Sequence, residues 1–255
     1  MPTPIVMIHG AFCAGWAFDD FREPFETAGH RVVAPDLPGH ETGPERRTVT
    51  GQSMSDYAAA VRRVIDAQSE PPILIGHSLG GLVAQMAATR SRVAGLILLA
   101  PSAPWGVTGS TAEEAISAVS LYALGPYWAL PVDPDYASAK RFLFDRLPRS
   151  MRRATFARLV PESGRALWET LNWWLDPFAT TRVATASIRA PVLAFGGDLD
   201  AIHPITTVQA ISRRLGGATR AMPGMSHWLV GEPGWEVVAE ACLNWIATVS
   251  ARDAA

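Results

Sequence analysis

Cysteine and long apolar runs are scarce in this 255-residue chain, and each scarcity excludes a class of protein. Cys13 and Cys242 are the only cysteines and lie at opposite ends, so neither a disulfide scaffold nor a Cys-rich metal site is available, and a cytoplasmic location is expected. The longest apolar stretch, Val93 to Ala100, falls well short of the roughly 20 residues that span a bilayer, so no membrane helix is expected. The opening residues, Met1 to Gly10, lack a basic stretch and reach His9-Gly10 after four apolar residues, so no secretory signal is expected either. No run of basic residues exceeds two and the net charge is −2, so the electrostatic footprint of a nucleic-acid binder is missing. Charged residues amount to only 18% against 48% hydrophobic, which excludes a disordered chain. The length allows one large domain or a core with a sizeable insertion.

Six short apolar runs recur at Ile5–Ile8, Arg31–Ala34, Ile73–Ile75, Gly95–Leu99, Val192–Phe195 and Thr219–Met222. Most lack polar alternation, as parallel strands covered on both faces do. Helical spacing fills several intervals. In Gln52–Gln68, residues Met54, Tyr57, Ala58, Val61, Val64 and Ile65 form an apolar stripe behind a Ser53-x-x-Asp56 cap. Gly234–Val249 repeats the pattern, with Pro233 expected in its first turn. Alternating strands and helices predict a doubly wound, mainly parallel α/β sheet whose ligand site lies beyond the carboxyl ends of the strands. Between Trp105 and Ile188 no strand is expected. Helices near Ala112–Ala123, Pro134–Phe144 and Ser163–Leu175 are expected instead, broken by prolines. The expected organisation is therefore a core of residues 1–104 and 189–255 with a helical lid, residues 105–188, inserted in it. That insertion holds five of the nine tryptophans and three of the four tyrosines, Tyr122 among them, a density suited to a pocket roof.

The run at Ile73–Ile75 leads straight into Gly76-His77-Ser78-Leu79-Gly80 and then into the apolar helix pattern from Leu82. This is G-x-S-x-G in its strand–turn–helix context. A nucleophilic serine must stand on a tight turn with its oxygen exposed, and the two glycines allow backbone to pass close by. Ser78 is the candidate nucleophile. Serine at its free pKa needs a base, which in turn needs an orienting acid. Of the six histidines, His227 follows the last strand and precedes the closing helix, which puts it on the strand-end face; His203 is expected to shape a loop, as a surface or capping residue. The acid is expected at a strand end between Ser and His, where Asp198 and Asp200 are both available. An oxyanion hole requires the N–H after the nucleophile, that of Leu79, and one from the loop after the first strand.

Taken together these motifs resemble the α/β-hydrolase fold serine hydrolases, and the resemblance covers essentially the whole chain. Gly197 to Pro204 resembles the family's Gly-x-x-Asp-x-x-x-Pro, which implies Asp200 as the acid and leaves Asp198 as a turn residue. His9-Gly10-Ala11-Phe12 resembles the family's His-Gly-x loop, implying Ala11 as the second oxyanion donor, Phe12 as a lining of the acyl pocket and His9 as a structural prop. The stretch His9 to Trp16 is particularly similar to the small esterase and hydroxynitrile lyase branch. The chain opens at what the family counts as its third strand, which implies about six strands rather than eight. Pro35 to His40 resembles the family's Asp-Leu-Pro-Gly-His loop, a structural turn.

Departures from the pattern narrow the chemistry. Cyanohydrin-cleaving members carry Lys directly after the histidine, whereas Trp228 stands here and Lys140 is the only lysine in the chain. Dehalogenases and epoxide hydrolases of this fold use an Asp nucleophile, which Ser78 excludes. No metal-ligand spacing occurs, so neither a metal nor a cofactor is implied. The expected activity is hydrolysis of a small carboxylic ester or lactone with an apolar or aromatic group, through an acyl-enzyme. Candidate pocket walls are Phe12, Trp105, Tyr127, Trp128, Trp173 and Trp174. The same machinery serves C–C, thioester or amide hydrolysis, because fold does not fix the leaving group, and some plant hormone receptors also use this fold.

Overall fold

The computed structural model describes residues 3–41, 48–109 and 125–253; the expected helix at Ala112–Ala123, with Tyr122, lies outside them. Eight strands occur among the described residues: β1 (Ile5–Ile8), β2 (Val32–Val33), β3 (Ile73–His77), β4 (Gly95–Leu99), β5 (Pro131–Val132), β6 (Glu162–Ser163), β7 (Val192–Gly197) and β8 (Ala218–Met222). Six of them form one all-parallel sheet in the order β2-β1-β3-β4-β7-β8. The helices are α1 (Glu23–Thr27), α2 (Met54–Asp66), α3 (Leu79–Ala88), α4 (Tyr136–Ser138), α5 (Arg149–Phe156), α6 (Gly164–Leu171), α7 (Ile205–Arg214) and α8 (Trp235–Asp253).

The uninterrupted apolar runs make sense in this sheet because both faces are covered. Successive side chains point to opposite faces. Ile5, Met7, Ile73, Ile75, Ile97, Leu99, Leu193 and Phe195 join a core with Phe25 of α1 and Val238, Cys242 and Ile246 of α8. Val6, Ile8, Leu74, Leu96, Leu98 and Ala194 join a second core with Met54, Tyr57, Val61 and Ile65 of α2, with α3, and with Val208 and Ile211 of α7. Helix α3 lies between the sheet and α2, and all ten of its residues are buried, which is why its sequence is apolar on every side.

Helix α2 starts as its sequence requires. Ser53 accepts a backbone N–H and Asp56 accepts the Ser53 N–H in return, a capping box worth about 1 kcal/mol. Helix α8 starts at Trp235, so Pro233 lies ahead of it rather than in its first turn. The segment between β4 and β7 is mainly helical, but it also contains a two-residue antiparallel ladder, with Pro131 opposite Ser163 and Val132 opposite Glu162. That corrects the expectation of no strand there. The pairs are too short to show a period in sequence.

The chain leaves β1 for the edge strand β2 and then returns past β1 to β3. Strand order therefore reverses between β1 and β3, and loops leaving the two neighbouring carboxyl ends diverge around a crevice. Register pairs Ile8 with Gly76, so the loop from His9 and the turn at Ser78 open side by side.

Candidate active site

Ser78 sits between the end of β3 and the first residue of α3, with φ +54° and ψ −122°. A non-glycine residue in that conformation is strained and is held there by its surroundings. Those surroundings are backbone. Ser78 N–H donates to Leu99 O at 2.9 Å, and Ser78 O accepts the N–H groups of Gly81 and Ser102 at 2.9 and 3.0 Å. The flanking glycines are required by close approach: a Cβ on Gly76 would lie 2.5 Å from Gly80 O, and one on Gly80 would lie 2.2 Å from Ile8 O.

His227 lies in the loop between β8 and α8. Its Nε2 is 2.9 Å from Ser78 Oγ, and its Nδ1 is 2.9 Å from Asp200 Oδ2. A carboxylate only accepts, so Nδ1–H donates to Asp200, which leaves Nε2 as the acceptor for the Ser78 hydroxyl. The second Asp200 oxygen accepts the N–H groups of Ile202 and His203 at 2.8 and 2.9 Å. Burial pushes this carboxyl upward, but the charge and hydrogen bond of His227, together with His203 and its N–H, outweigh it and hold Asp200 below the usual carboxylate range. Asp198 points elsewhere and accepts Gly224 N–H at 2.8 Å.

Two further histidines brace this group. His77 Nε2–H donates to the His227 carbonyl at 2.8 Å, and burial, with the neighbouring His227, drops its pKa to about 3, so it stays neutral. His203 is buried rather than a surface residue, correcting the sequence expectation. Its Nε2 is 3.0 Å from Ser102 Oγ, and its ring packs 5.2 Å from that of His227. Trp228 is buried against Trp16, His77 and Phe144, so an apolar ring fills the position after His227.

Across the crevice stands the loop His9–Phe12. His9 Nε2 accepts Leu37 N–H and its Nδ1–H donates to Gly10 O, both at 2.9 Å; burial and nearby His40 bring its pKa to about 3. Leu79 opens α3, so its N–H is one of the helix's first four and finds no partner within the helix. Ala11 and Phe12 pack against a small cluster of Tyr127, Val132, Leu167 and Trp168. Tyr127 is buried and accepts a hydrogen bond from Asn172 at 2.7 Å. Trp105 and Trp173 are half-buried and meet edge to face at 5.6 Å. Trp128 and Trp174, by contrast, are 46% and 61% exposed.

Two buried carboxylates beside the site escaped the sequence reading. Glu232 accepts Ser226 N–H beside His227, and burial, with the charge of Asp145, pushes its carboxyl up to about 7. Glu162 of β6 reaches the crevice from the segment between β4 and β7. It accepts Phe12 N–H at 3.3 Å on one oxygen, and Tyr57 O–H and Ser163 N–H at 2.6 and 2.7 Å on the other. His40 Nε2 is 3.0 Å from the same oxygen as Phe12. Burial opposes both charges, yet the mutual attraction prevails, holding His40 up and Glu162 down and favouring the charged forms of both. Spacing gives no signal for such partners, since Glu162 is 150 residues from Phe12.

Among the described residues no cluster of His, Cys, Asp or Glu could hold a metal ion, and no helix is long and apolar enough to cross a membrane. The sequence profile of the alpha/beta hydrolase family matches residues 5–241. The chain belongs to that family. It is 37% identical over 113 residues to a pyrethroid hydrolase from Sphingobium wenxiniae, a match covering 43% of this chain and 40% of that protein's length. A longer match, 31% identical over 223 residues, links it to the pimeloyl-[acyl-carrier protein] methyl ester esterase of Neisseria meningitidis, covering 84% and 81% of the two chains. A methylesterase from Arabidopsis superposes with a TM-score of 0.75 over 96% of this chain and 99% of its own, at 14% identity, and so shares the fold.

Proposed function

We propose that the protein is a serine hydrolase that cleaves a small carboxylic ester through an acyl-enzyme. The observation that carries this reading is the unbroken chain Ser78 Oγ, His227, Asp200, with 2.9 Å at each link, at the point where the sheet's strand order reverses. In the reaction Ser78 Oγ attacks the ester carbonyl carbon while His227 Nε2 takes the hydroxyl proton. The carbonyl oxygen gains the negative charge and is held by the N–H groups of Ala11 and Leu79. As the C–O bond breaks, His227 returns the proton to the leaving alcohol. Water then attacks the acyl group by the same route and releases the acid with Ser78 restored. Asp200 keeps Nδ1 protonated throughout, so Nε2 always faces Ser78 as the base.

Ester chemistry is supported by the relatives named as a pyrethroid hydrolase and a methyl ester esterase. A preference for an apolar or aromatic group is supported by aromatic side chains of the oxyanion loop and of the segment between β4 and β7. Phe12 and Tyr127 stand next to the oxyanion loop, and Trp105 and Trp173 pack together in the segment that follows β4. Trp128 and Trp174 are about half and mostly exposed, respectively, and drop out of the proposed wall. In this reading residues 105–188 form the lid, and two unpaired buried thiols suit a cytoplasmic enzyme.

The test is kcat/KM across matched esters, lactones, thioesters, amides and vinylogous diketones. Esters are expected to lead, with bulky aromatic esters exceeding a short acetyl ester by about tenfold or more, the discrimination an apolar pocket supplies. Diketone cleavage leading by orders of magnitude, or a single slow turnover with every substrate, would refute the assignment.

A further inference from the structure

From the geometry around Phe12 we infer that Glu162 is a positioning residue for the oxyanion loop, and that the position demands a carboxylate rather than an amide. The inference rests on the reading of Ala11 N–H as an oxyanion donor and extends it to what holds that donor in place. Phe12 has φ +62°, a left-handed conformation that a bulky L-residue rarely adopts unaided. Both polar backbone groups of Phe12 are tied to one short stretch, Val160 to Glu162, of the segment between β4 and β7. Its N–H donates to Glu162 at 3.3 Å and its carbonyl accepts Val160 N–H at 2.9 Å. The two peptide planes flanking Phe12 are thereby held, and only the φ and ψ of Ala11 separate the nearer one from the plane that carries Ala11 N–H.

The demand for a carboxylate follows from the donors. Phe12 N–H lies on one oxygen of Glu162 and Ser163 N–H on the other. The histidine can give up a proton and the tyrosine hydroxyl can rotate, but neither backbone N–H can become an acceptor. A glutamine therefore presents its NH₂ to one of the two backbone donors whichever way it turns. Glu162, its side-chain partners His40 and Tyr57, and Ser163 are fully buried, so a donor left facing the NH₂ there costs an unmade hydrogen bond.

Glu169 of α6 provides the comparison. It is also buried, and it fastens the same segment to the core through Ser53 Oγ, at 2.8 and 3.0 Å from its two oxygens, and Met54 N–H at 2.9 Å. Its hydrogen bonds go to the start of α2 and to Arg165 rather than to the oxyanion loop. The two carboxylates thus separate anchoring of the segment from positioning of the loop.

The experiment measures kcat, KM and Tm with p-nitrophenyl acetate for the full chain carrying Glu162→Gln, Glu162→Asp, Glu169→Gln, Glu169→Asp or Ser78→Ala. Glu162→Gln is expected to lower kcat by about 10- to 100-fold with KM changed less than about threefold, a displaced oxyanion donor costing somewhat less than a deleted one. Glu162→Asp keeps the charge but draws it back by one methylene, and is expected to lower kcat by about three- to tenfold; it decides the matter if the Gln variant does not fold. Both Glu169 variants are expected to lower Tm while keeping kcat within about threefold, since removing an anchor loosens packing rather than the transition-state contact. Wild-type kcat in both Glu162 variants overturns the inference, as does an equal kcat loss in Glu169 variants of matched Tm. If Ser78→Ala is inactive and the Glu162 variants are unimpaired, only the positioning role fails. If Ser78→Ala keeps wild-type kcat, the triad reading fails and takes this inference with it.

Discussion

Ser78→Ala is expected to lower kcat for ester hydrolysis by about 10⁶-fold with little change in KM, because it removes the attacking oxygen and leaves the binding surface intact. Alanine carries the same Cβ as serine, so the backbone at φ +54° gains no new clash and the hydrogen bonds to Leu99, Gly81 and Ser102 remain. Steady-state kinetics on a chromogenic aryl ester, with Tm in parallel, check it. A variant that is folded and retains more than about a thousandth of wild-type kcat shows that the nucleophile lies elsewhere.

The second large effect is expected at Asp200. Asp200→Asn should lower kcat by about 10⁴-fold. One oxygen of this side chain accepts Ile202 and His203 N–H, and the other accepts His227 Nδ1–H. Asparagine has only one oxygen. Two backbone donors hold it in place, so the NH₂ turns toward His227. The imidazole then keeps its proton on Nε2, facing Ser78, and cannot act as a base. Asp198→Asn serves as the internal comparison. Asp198 is exposed and makes one bond, to Gly224 N–H, which an asparagine oxygen also accepts, so kcat should stay within about threefold. A reversal of the two effects in kcat assays moves the acid to Asp198.

Much of the architecture is legible in the sequence because the parallel sheet is covered on both faces. In the four central strands that burial produces uninterrupted apolar runs; all six runs form strands of the sheet, but the edge strand β8 is largely exposed and carries Thr219 and Arg220. Boundaries shift where the physics is local. Only Val32–Val33 of the second run pair with a neighbour, whereas β7 continues past Phe195 through Gly196-Gly197, since Gly197 lies so close to the Ser226 and Met225 carbonyls that no side chain fits. Helix α5 falls outside the expected helices: three of its eight residues are arginines, only Met151, Ala154 and Phe156 are apolar, and none is fully buried. The ladder between β5 and β6 is invisible for a different reason: two-residue strands have no period.

The candidate site divides in the same way. Ser78 is legible because backbone strain at a strand-to-helix turn imposes glycines at fixed offsets. His227 is legible from its position after the last strand, whereas position leaves Asp198 and Asp200 both open and only the family resemblance picks Asp200; the structure brings Ser78, His227 and Asp200 within hydrogen-bonding distance. The groups that steady this arrangement are not legible. Glu162 joins His40 at a separation of 122 residues and Tyr57 at 105, Glu169 joins Ser53 at 116, and His77 joins the His227 carbonyl at 150. Buried polar contacts of this kind are created by tertiary folding, and a lone Glu or His in a string of letters carries no mark of them.

The most direct test of the central claim is to treat the native protein with a fluorophosphonate and locate the adduct by peptide mass spectrometry. The phosphorus reacts with an activated serine and leaves a tetrahedral group where the oxyanion would stand. The account predicts one adduct, on Ser78, absent from Ser78→Ala and slowed in Asp200→Asn. An adduct on another residue, or full ester hydrolysis by protein whose Ser78 has been completely modified, would contradict it.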